Sequence, residues 1–329
     1  MSFLRSAARR LRLFLRSELD LSKDRLLAEL RKDELTEDAR VAAMKRLGWK
    51  FDRERPLDNV VGLGIAFDPI VHRHWIDGLP YLATLVLECG AEIHQLEDRR
   101  LELKIGNIRV TPNSEQELGF LVEVLRDEEY LVESGTPMFV WDVGANVGFA
   151  SLFFAAVQGW DVMAYELCPP TAEIARENVR RSGLEDRIQI NAAGIGGKAE
   201  TAKIAYSAKF HGTNSMVGDT LRLPTGDEQE LDVQVLDASE VFTEVQERAA
   251  GRPIFVKLDC EGAEYAVLKR LHETGQLAMI SAMVIEAHCH PGLEPDDAVK
   301  TLLAAGFLVR RKRRLNLPYE TFYASRLAN

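Results

Sequence analysis

Cysteine is scarce in this chain, with four residues, Cys89, Cys168, Cys260 and Cys289, among 329. Their separations fit no zinc-binding pattern, and two fall in expected core strands or active-site turns, so all four read as reduced thiols in a cytosolic compartment. Basic residues are in deficit: 41 Lys and Arg against 51 Asp and Glu leave a net charge of −10, which argues against a general nucleic-acid binder. There is no uninterrupted apolar run of membrane-spanning length. The longest, residues 139–160, is broken by Asp142, Asn146 and Ser151 and is better explained as a buried strand and helix. The N-terminus lacks an apolar segment followed by a small-residue cleavage site, so no secretory signal peptide is expected. What remains is a chain with 46% hydrophobic residues, enough to bury a full core.

The stretch that organises the rest reads FVWDVGANVGFASLFFAAVQGWDVMAYELC, residues 139–168. Phe139 to Val143 is a short apolar, β-branched run that ends at the glycine-spaced turn Gly144-Ala-Asn-Val-Gly148. A helix without Gly or Pro follows, and after Gly159 a second strand runs from Asp161 into Glu166. Glycines allow close backbone approach, a helix N-terminus offers N–H groups to an anion, and an acid ending the second strand is placed to accept from ribose hydroxyls. A phosphate loop needs a Gly-Lys-Ser/Thr ending, and the turn holds no lysine. A nicotinamide or flavin site needs three glycines, whereas Asn146 stands at the middle position and the third glycine is missing.

S-adenosylmethionine suits the turn better, since its carboxylate, ribose and sulfonium call for a close backbone and acidic partners in place of phosphate donors. The string DVGANVGFAS, with ELCPP two dozen residues on, resembles the glycine turn and ribose acid of the FkbM-type family of S-adenosylmethionine-dependent methyltransferases. Phe255-Val-Lys-Leu-Asp-Cys-Glu-Gly-Ala-Glu264 is similar to that family's Lys-Ile-Asp-Val-Glu-Gly-x-Glu signature, and Val284-Ile-Glu-Ala-His288 to the strand after it. The resemblance spans roughly residues 114 to 325. Cys168 for a more usual Pro and Cys260 for Val are departures that disturb no proposed role.

It implies a doubly wound α/β fold with a mostly parallel seven-stranded sheet, one strand antiparallel, and an N-terminal helical extension. The expected division is residues 1–95 for the extension and 96–329 for the methyltransferase domain. The expected activity is methylation of a hydroxyl on a sugar, glycan or secondary metabolite. Nicotinamide-dependent oxidation and a non-catalytic nucleoside-binding module are the alternatives. Cofactor contacts are expected from Asp142, Gly144, Asn146, Gly148, Glu166, Asn191, Ala192 and Asp259. The acceptor's proton is expected to leave to Asp259, Glu261 or His288.

Several other segments carry chemistry or its bland equivalent. Residues 1–17 hold no acid, and Leu4, Ala8, Leu11 and Leu15 share one helical face while Arg5, Arg9, Arg12 and Arg16 share the other. Such a helix packs on a protein or lies on an anionic membrane surface, and an Arg-rich, acid-poor opening also matches an organellar transit peptide. The resulting expectation is a cytoplasmic protein with peripheral contact at the inner face of a membrane. A small-molecule or glycan acceptor, no nucleic acid and a homo-oligomer complete the expected partners. His72 and His74 lack a nearby carboxylate for a metal. Gly106-Asn107 inside LELKIGNIRV signals a hairpin, and Ser114 or Asn113 with Glu117 a capping box. Glu128-Glu129-Tyr130 reads equally as a site edge or a solvated helix end, and Glu264 as a helix-capping acid. Gly212-Thr-Asn-Ser-Met216 reads as an acceptor-pocket segment or a plain turn. His288 and His290, with Asp259 or Glu286, have the makings of a metal site. The two histidines share a side only if their strand continues to Pro291, so no metal is assigned.

Overall fold

A computed structural model of the protein describes residues 50–51, 60–61, 73–127, 129–132, 134–207, 229–312 and 319–326. The expected helices within residues 1–47, the polar segment 212–216, His72, Glu128 and the turn at 315–318 lie outside the described residues. The chain divides into two compact units, residues 1–106 with 110–127, and residues 107–109 with 128–329.

In the first unit, strands β1 (Lys50–Phe51) and β2 (Val60–Val61) pair antiparallel. Helices α1 (Arg73–Asp77) and α2 (Leu79–Glu88) follow, then β3 (Glu92–Gln95), β4 (Leu101–Ile105) and β5 (Ile108–Val110) in one three-stranded sheet, Ile108 and Arg109 of β5 being counted with the second unit. Gly106, at φ +59°, opens the turn between β4 and β5, as the Gly-Asn pair predicts. Trp75, Leu82 and Leu85 are buried, and His74 Nε2 lies 3.1 Å from the Pro112 carbonyl, a hydrogen-bonded histidine.

Helix α3 (Glu115–Leu125) starts where the capping box predicts, with Ser114 Oγ accepting the Glu117 N–H. The return bond runs to the N–H of Asn113, one residue earlier than the motif places it. Glu117 is buried, and burial pushes its carboxyl up to about 7 from the ordinary 4.5, against the pull of the Asn113 and Ser114 bonds. The folded chain therefore binds this proton more tightly than the unfolded chain. Stability falls as pH rises from about 4.5 to about 7, and the full cost, on the order of 3 kcal/mol, is present above that. Glu117→Gln should raise the melting temperature at pH 8 and leave it nearly unchanged at pH 4.5. An equal shift at both values would assign the effect to packing.

The second unit is built on a seven-stranded sheet of β6 (Phe139–Val143), β7 (Asp161–Glu166), β8 (Ile188–Ala192), β12 (Ile254–Leu258), β13 (Ala282–His288), β14 (Leu308–Lys312) and β15 (Tyr319–Ser325). Their order is β14-β15-β13-β12-β6-β7-β8, and only β15 runs antiparallel to its neighbours. The order reverses beside β6, which leaves a crevice at the carboxyl ends of β6 and β12. Strands β9 (Gly194–Gly196), β10 (Glu200–Tyr206) and β11 (Gln229–Asp237) form a separate three-stranded sheet.

Every residue of β6 and β12 is buried, as central strands covered on both faces require. Phe139, Trp141 and Val143 of β6 join Ile254, Val256 and Leu258 of β12 in one core. Helices α6 (Ala238–Ala249), α7 (Glu264–Glu273) and α8 (Pro295–Ala304) contribute to that core Phe242, Leu268 and Leu302. On the other face Phe154, Trp160 and Phe255 meet with ring centroids 5.3–6.2 Å apart.

The helix after the glycine turn is α4 (Phe149–Phe153), which passes into a π-helical turn at Phe154–Gln158 and ends at Gly159 in the left-handed region. The longer helix α5 (Pro169–Ser182) has both features expected of it, prolines at its start and Gly183 at its end. None of the four cysteines forms a disulfide, and no helix among the described residues is long and apolar enough to cross a membrane.

Candidate functional site

Strand alternation decides which charges meet. Trp141 and Val143 face the α6–α8 core, so Asp142 between them faces the other way. Val256 and Leu258 also face that core, so Lys257 shares the side of Asp142. The parallel register places Lys257 directly opposite Asp142. Lys257 Nζ lies 3.5 Å from Asp142 Oδ1 and 3.3 Å from Asp259 Oδ2, and it donates to the carbonyl of Gly144. Burial would lower the lysine's pKa, yet Asp259, Asp142 and Glu286 together hold it above the ordinary lysine range. Its Nζ also stands 6.0 Å from the ring centroid of Tyr130.

Asp142 is wholly buried, and its Oδ2 accepts from Ser151 Oγ at 2.6 Å. It therefore supports the glycine turn from beneath. Glu129, beside Tyr130, is buried and accepts from Tyr323 Oη and from Lys312, so this segment packs against β14 and β15 and is no solvated helix end.

The glycines are required for a reason that motif spacing does not reveal. A Cβ on Gly144, at φ +82°, would come 1.6 Å from the carbonyl oxygen of Asp259, so the turn and the end of β12 interlock through backbone contact. One on Gly148, at φ +85°, would press on Ala175 of α5 at 3.2 Å. The N–H groups of Gly144 and Ala145 both bond to the carbonyl of Tyr165 at the end of β7.

Glu166 lies one residue further along β7. Its Oε2 accepts the Asn146 N–H at 2.8 Å and its Oε1 the Cys168 N–H at 2.9 Å. Burial raises its pKa, while those two backbone bonds and Lys257 oppose the rise. An ionised carboxylate offers about four lone-pair sites, so each oxygen keeps capacity for a further donor. Asn146 holds a left-handed φ of +50° without being glycine, and its Oδ1 is buried with no hydrogen-bond partner. Asn191 is engaged, its Nδ2 donating to the Ala164 carbonyl and its Oδ1 accepting from Gln189. Ala192, the residue paired with Glu166, ends β8.

The segment after β12 forms a second cluster. Glu264 is fully buried and its two oxygens accept the N–H groups of Cys260 and Gly262 at 2.8 and 2.9 Å, which pins the loop ahead of α7. Glu261, between them, sits at φ +55°, a strained conformation for a side-chain-bearing residue. His288 ends β13, with Nδ1 3.0 Å from Glu264 Oε1 and Nε2 3.6 Å from Glu261 Oε2. Its carbonyl accepts from Tyr265 Oη, and the Tyr319 ring lies 5.4 Å away.

Burial would depress the imidazole's pKa, but Glu264, Glu261 and Asp259 raise it to about 10, so it carries a proton at neutral pH. Burial likewise raises Glu261, to about 7, against the pull of His288. Glu264 is thus more than a capping acid, because it joins the β12 loop to β13. The strand ends at His288, so alternation does not carry His290 to the same side. His290 instead makes an isolated bridge with Leu293.

Lys257, Ser151 and Glu264 are the members that motif spacing does not single out as site residues. A signal for the first was present. FVWDV and IFVKL each carry one charge, of opposite sign, at the fourth position of a five-residue buried strand.

The fold is that of a class I methyltransferase, with its parallel sheet closed by one antiparallel strand. The family model described as the methyltransferase FkbM domain matches residues 142–309, and the chain belongs to that family. Its cofactor is S-adenosylmethionine. Among solved structures it is similar to the N-terminal domain of human METTL16 in complex with SAH, at 13% identity over 91% of this chain and 96% of that one, with a TM-score of 0.38. It is also similar to human methyltransferase 10 domain containing protein, at 15% identity over 80% and 98% of the two chains, TM-score 0.40. Precorrin-6y C5,15-methyltransferase from Geobacter metallireducens matches at 11% identity over 65% and 90%, TM-score 0.34. No curated protein matches the chain. The assignment rests on the family match.

The residues at the turn suit this cofactor. It brings an ammonium group and ribose hydroxyls as donors, and the crevice offers Glu166 and the unpartnered Asn146 Oδ1 as acceptors. Glu166→Ala should weaken S-adenosylmethionine binding by about 1.5–3 kcal/mol, the scale for a hydrogen bond to a charged group. Isothermal calorimetry on a variant whose circular dichroism is unchanged checks this. Unaltered affinity would remove Glu166 from the cofactor site.

Proposed function

We propose that the protein transfers the methyl group of S-adenosylmethionine to a hydroxyl of a sugar, glycan or secondary metabolite. The observation that carries this reading is the cluster of Asp259, Glu261 and His288 at the carboxyl ends of β12 and β13, interlocked with the glycine turn through Gly144 and Asp259. A hydroxyl aligned with the sulfonium needs little more than orientation and an acceptor for its proton. The new O–CH3 bond forms as the S–CH3 bond breaks. The cofactor departs as a neutral thioether, and the hydroxyl proton passes to the Asp259–Glu261 carboxylates. Their side chains are about a quarter exposed, which gives them access to a substrate. His288 already holds its proton between Glu264 and Glu261 and serves to position them.

Cofactor contact through Gly144, Asn146, Gly148, Glu166, Asn191, Ala192 and Asp259 belongs to the same proposal, with Asp142 acting from below the turn. Incubating the purified chain with methyl-labelled S-adenosylmethionine and panels of sugars, glycans and hydroxylated metabolites tests it. Mass spectrometry should find an alkali-stable labelled ether. Label on nitrogen alone would overturn the hydroxyl assignment.

A further inference from the structure

Beyond the cofactor crevice, one arrangement at the same sheet edge has the makings of a cation site. Asp259, Glu286 and His288 each offer a ligand atom, and these atoms all lie within 4.8 Å of one another, the one such trio among the described residues. The fold produces this by alternation. Glu286 and His288 are two apart on β13, and their neighbours Ile285 and Ala287 face the α6–α8 core, so both project to the side shared by Lys257. Asp259 follows Lys257 by two at the end of β12, the strand beside β13.

We propose that Asp259, Glu286 and His288 bind a divalent first-row cation such as Mn2+. The second observation behind this is the way His288 is held. The residue is 7% exposed, and its Nδ1 is tied to Glu264, itself fully buried. A carboxylate on one ring nitrogen fixes the tautomer and aims the other nitrogen, as metal-bound imidazoles are held by their outer partners. Nε2 faces Glu261 Oε2 at 3.6 Å, and an ion bound there takes the place of the proton this nitrogen carries, so binding releases that proton. Two carboxylates and one imidazole suit an ion of intermediate hardness. Ligands bound at about 2.1 Å around one ion stand roughly 3–4 Å apart, so a small closure of the present spacing completes the site. Asp259, Glu261, Glu264 and Glu286 gather here against two cations, Lys257 and the protonated His288, and a divalent ion that displaces the imidazole proton adds one further positive charge.

Three protein ligands leave coordination positions open. On the reading of the chain as a hydroxyl methyltransferase, on which this role alone rests, an acceptor oxygen occupies one of them. A bound divalent ion makes a coordinated oxygen more acidic. Glu261 is then the carboxylate that takes the proton.

The test is Mn2+ binding to the full chain after treatment with chelator, read from the loss of the free-ion electron paramagnetic resonance signal. One Mn2+ per chain is expected. Affinity should fall at least tenfold in Glu286→Gln and in Asp259→Asn, and about 10–100-fold in the positioning variant Glu264→Gln. No saturable binding by the native chain, or native affinity in both ligand variants, overturns the site. S-adenosylmethionine calorimetry on the same samples keeps the two readings apart. Mn2+ binding without cofactor binding would sink the transferase and spare the metal, and cofactor binding without Mn2+ the reverse.

Discussion

Lys257→Met should destabilise the protein by about 3–5 kcal/mol, because it removes the partner of a buried charge and leaves the other side uncompensated. Asp142 is wholly buried, and its Oδ1, which has no hydrogen bond, relies on the ammonium 3.5 Å away. The methionine chain fills a similar volume, so lost charge outweighs lost packing. The pH dependence separates this cause from a packing defect. Without Lys257 the buried carboxylate cluster loses its cation, so the folded variant takes up protons more readily than its unfolded chain does. The deficit should then be small in mildly acidic solution and grow as pH rises. Urea unfolding at pH 5 and pH 8 measures it, and Asp142→Asn added to Lys257→Met should recover part of the loss. A midpoint unaffected by the lysine change at both pH values would show that the cross-strand pair contributes nothing.

Asp259→Asn should leave S-adenosylmethionine binding within a few-fold of normal and reduce methyl transfer by about a hundredfold or more, the scale for losing a positioned acid–base group. The substitution keeps size and polarity and removes the charge. It also removes one of the two carboxylates beside Lys257, but that lysine keeps Asp142 and the Gly144 carbonyl, so the fold should survive. Single-turnover transfer at saturating cofactor is the measurement, with Glu261→Gln and His288→Ala in parallel. A near-normal aspartate variant beside a crippled histidine variant would move proton acceptance to His288. Loss in Asp259→Asn that excess Mn2+ restores would instead assign Asp259 to the cation.

The amino-acid order alone determined the doubly wound sheet, the glycine turn, the acid that ends the second strand and the helix limits at Pro169 and Gly183. Each of these is written in neighbouring residues, as hydrophobic runs, turn formers and caps whose physics is local. It also pointed to Asp259 and His288, where strands end, and to Glu261 in the loop after the first of them. What it left open at Glu264, and at Glu129 with Tyr130, was whether a charge faced solvent or a partner far along the chain. Only the folded sheet decides that. Asp142 and Lys257 are separated by more than a hundred residues and become neighbours because β6 and β12 lie side by side in one register. Gly144 needs its hydrogen side chain because the backbone of Asp259 passes against it. Likewise the sequence put His288 and His290 on one side only if their strand ran on to Pro291; β13 ends at His288, and strand packing gives His288 the company of Asp259 and Glu286. Contacts of this kind depend on strand order and face, which adjacency in sequence does not encode, so tertiary structure alone turns scattered acids into a site.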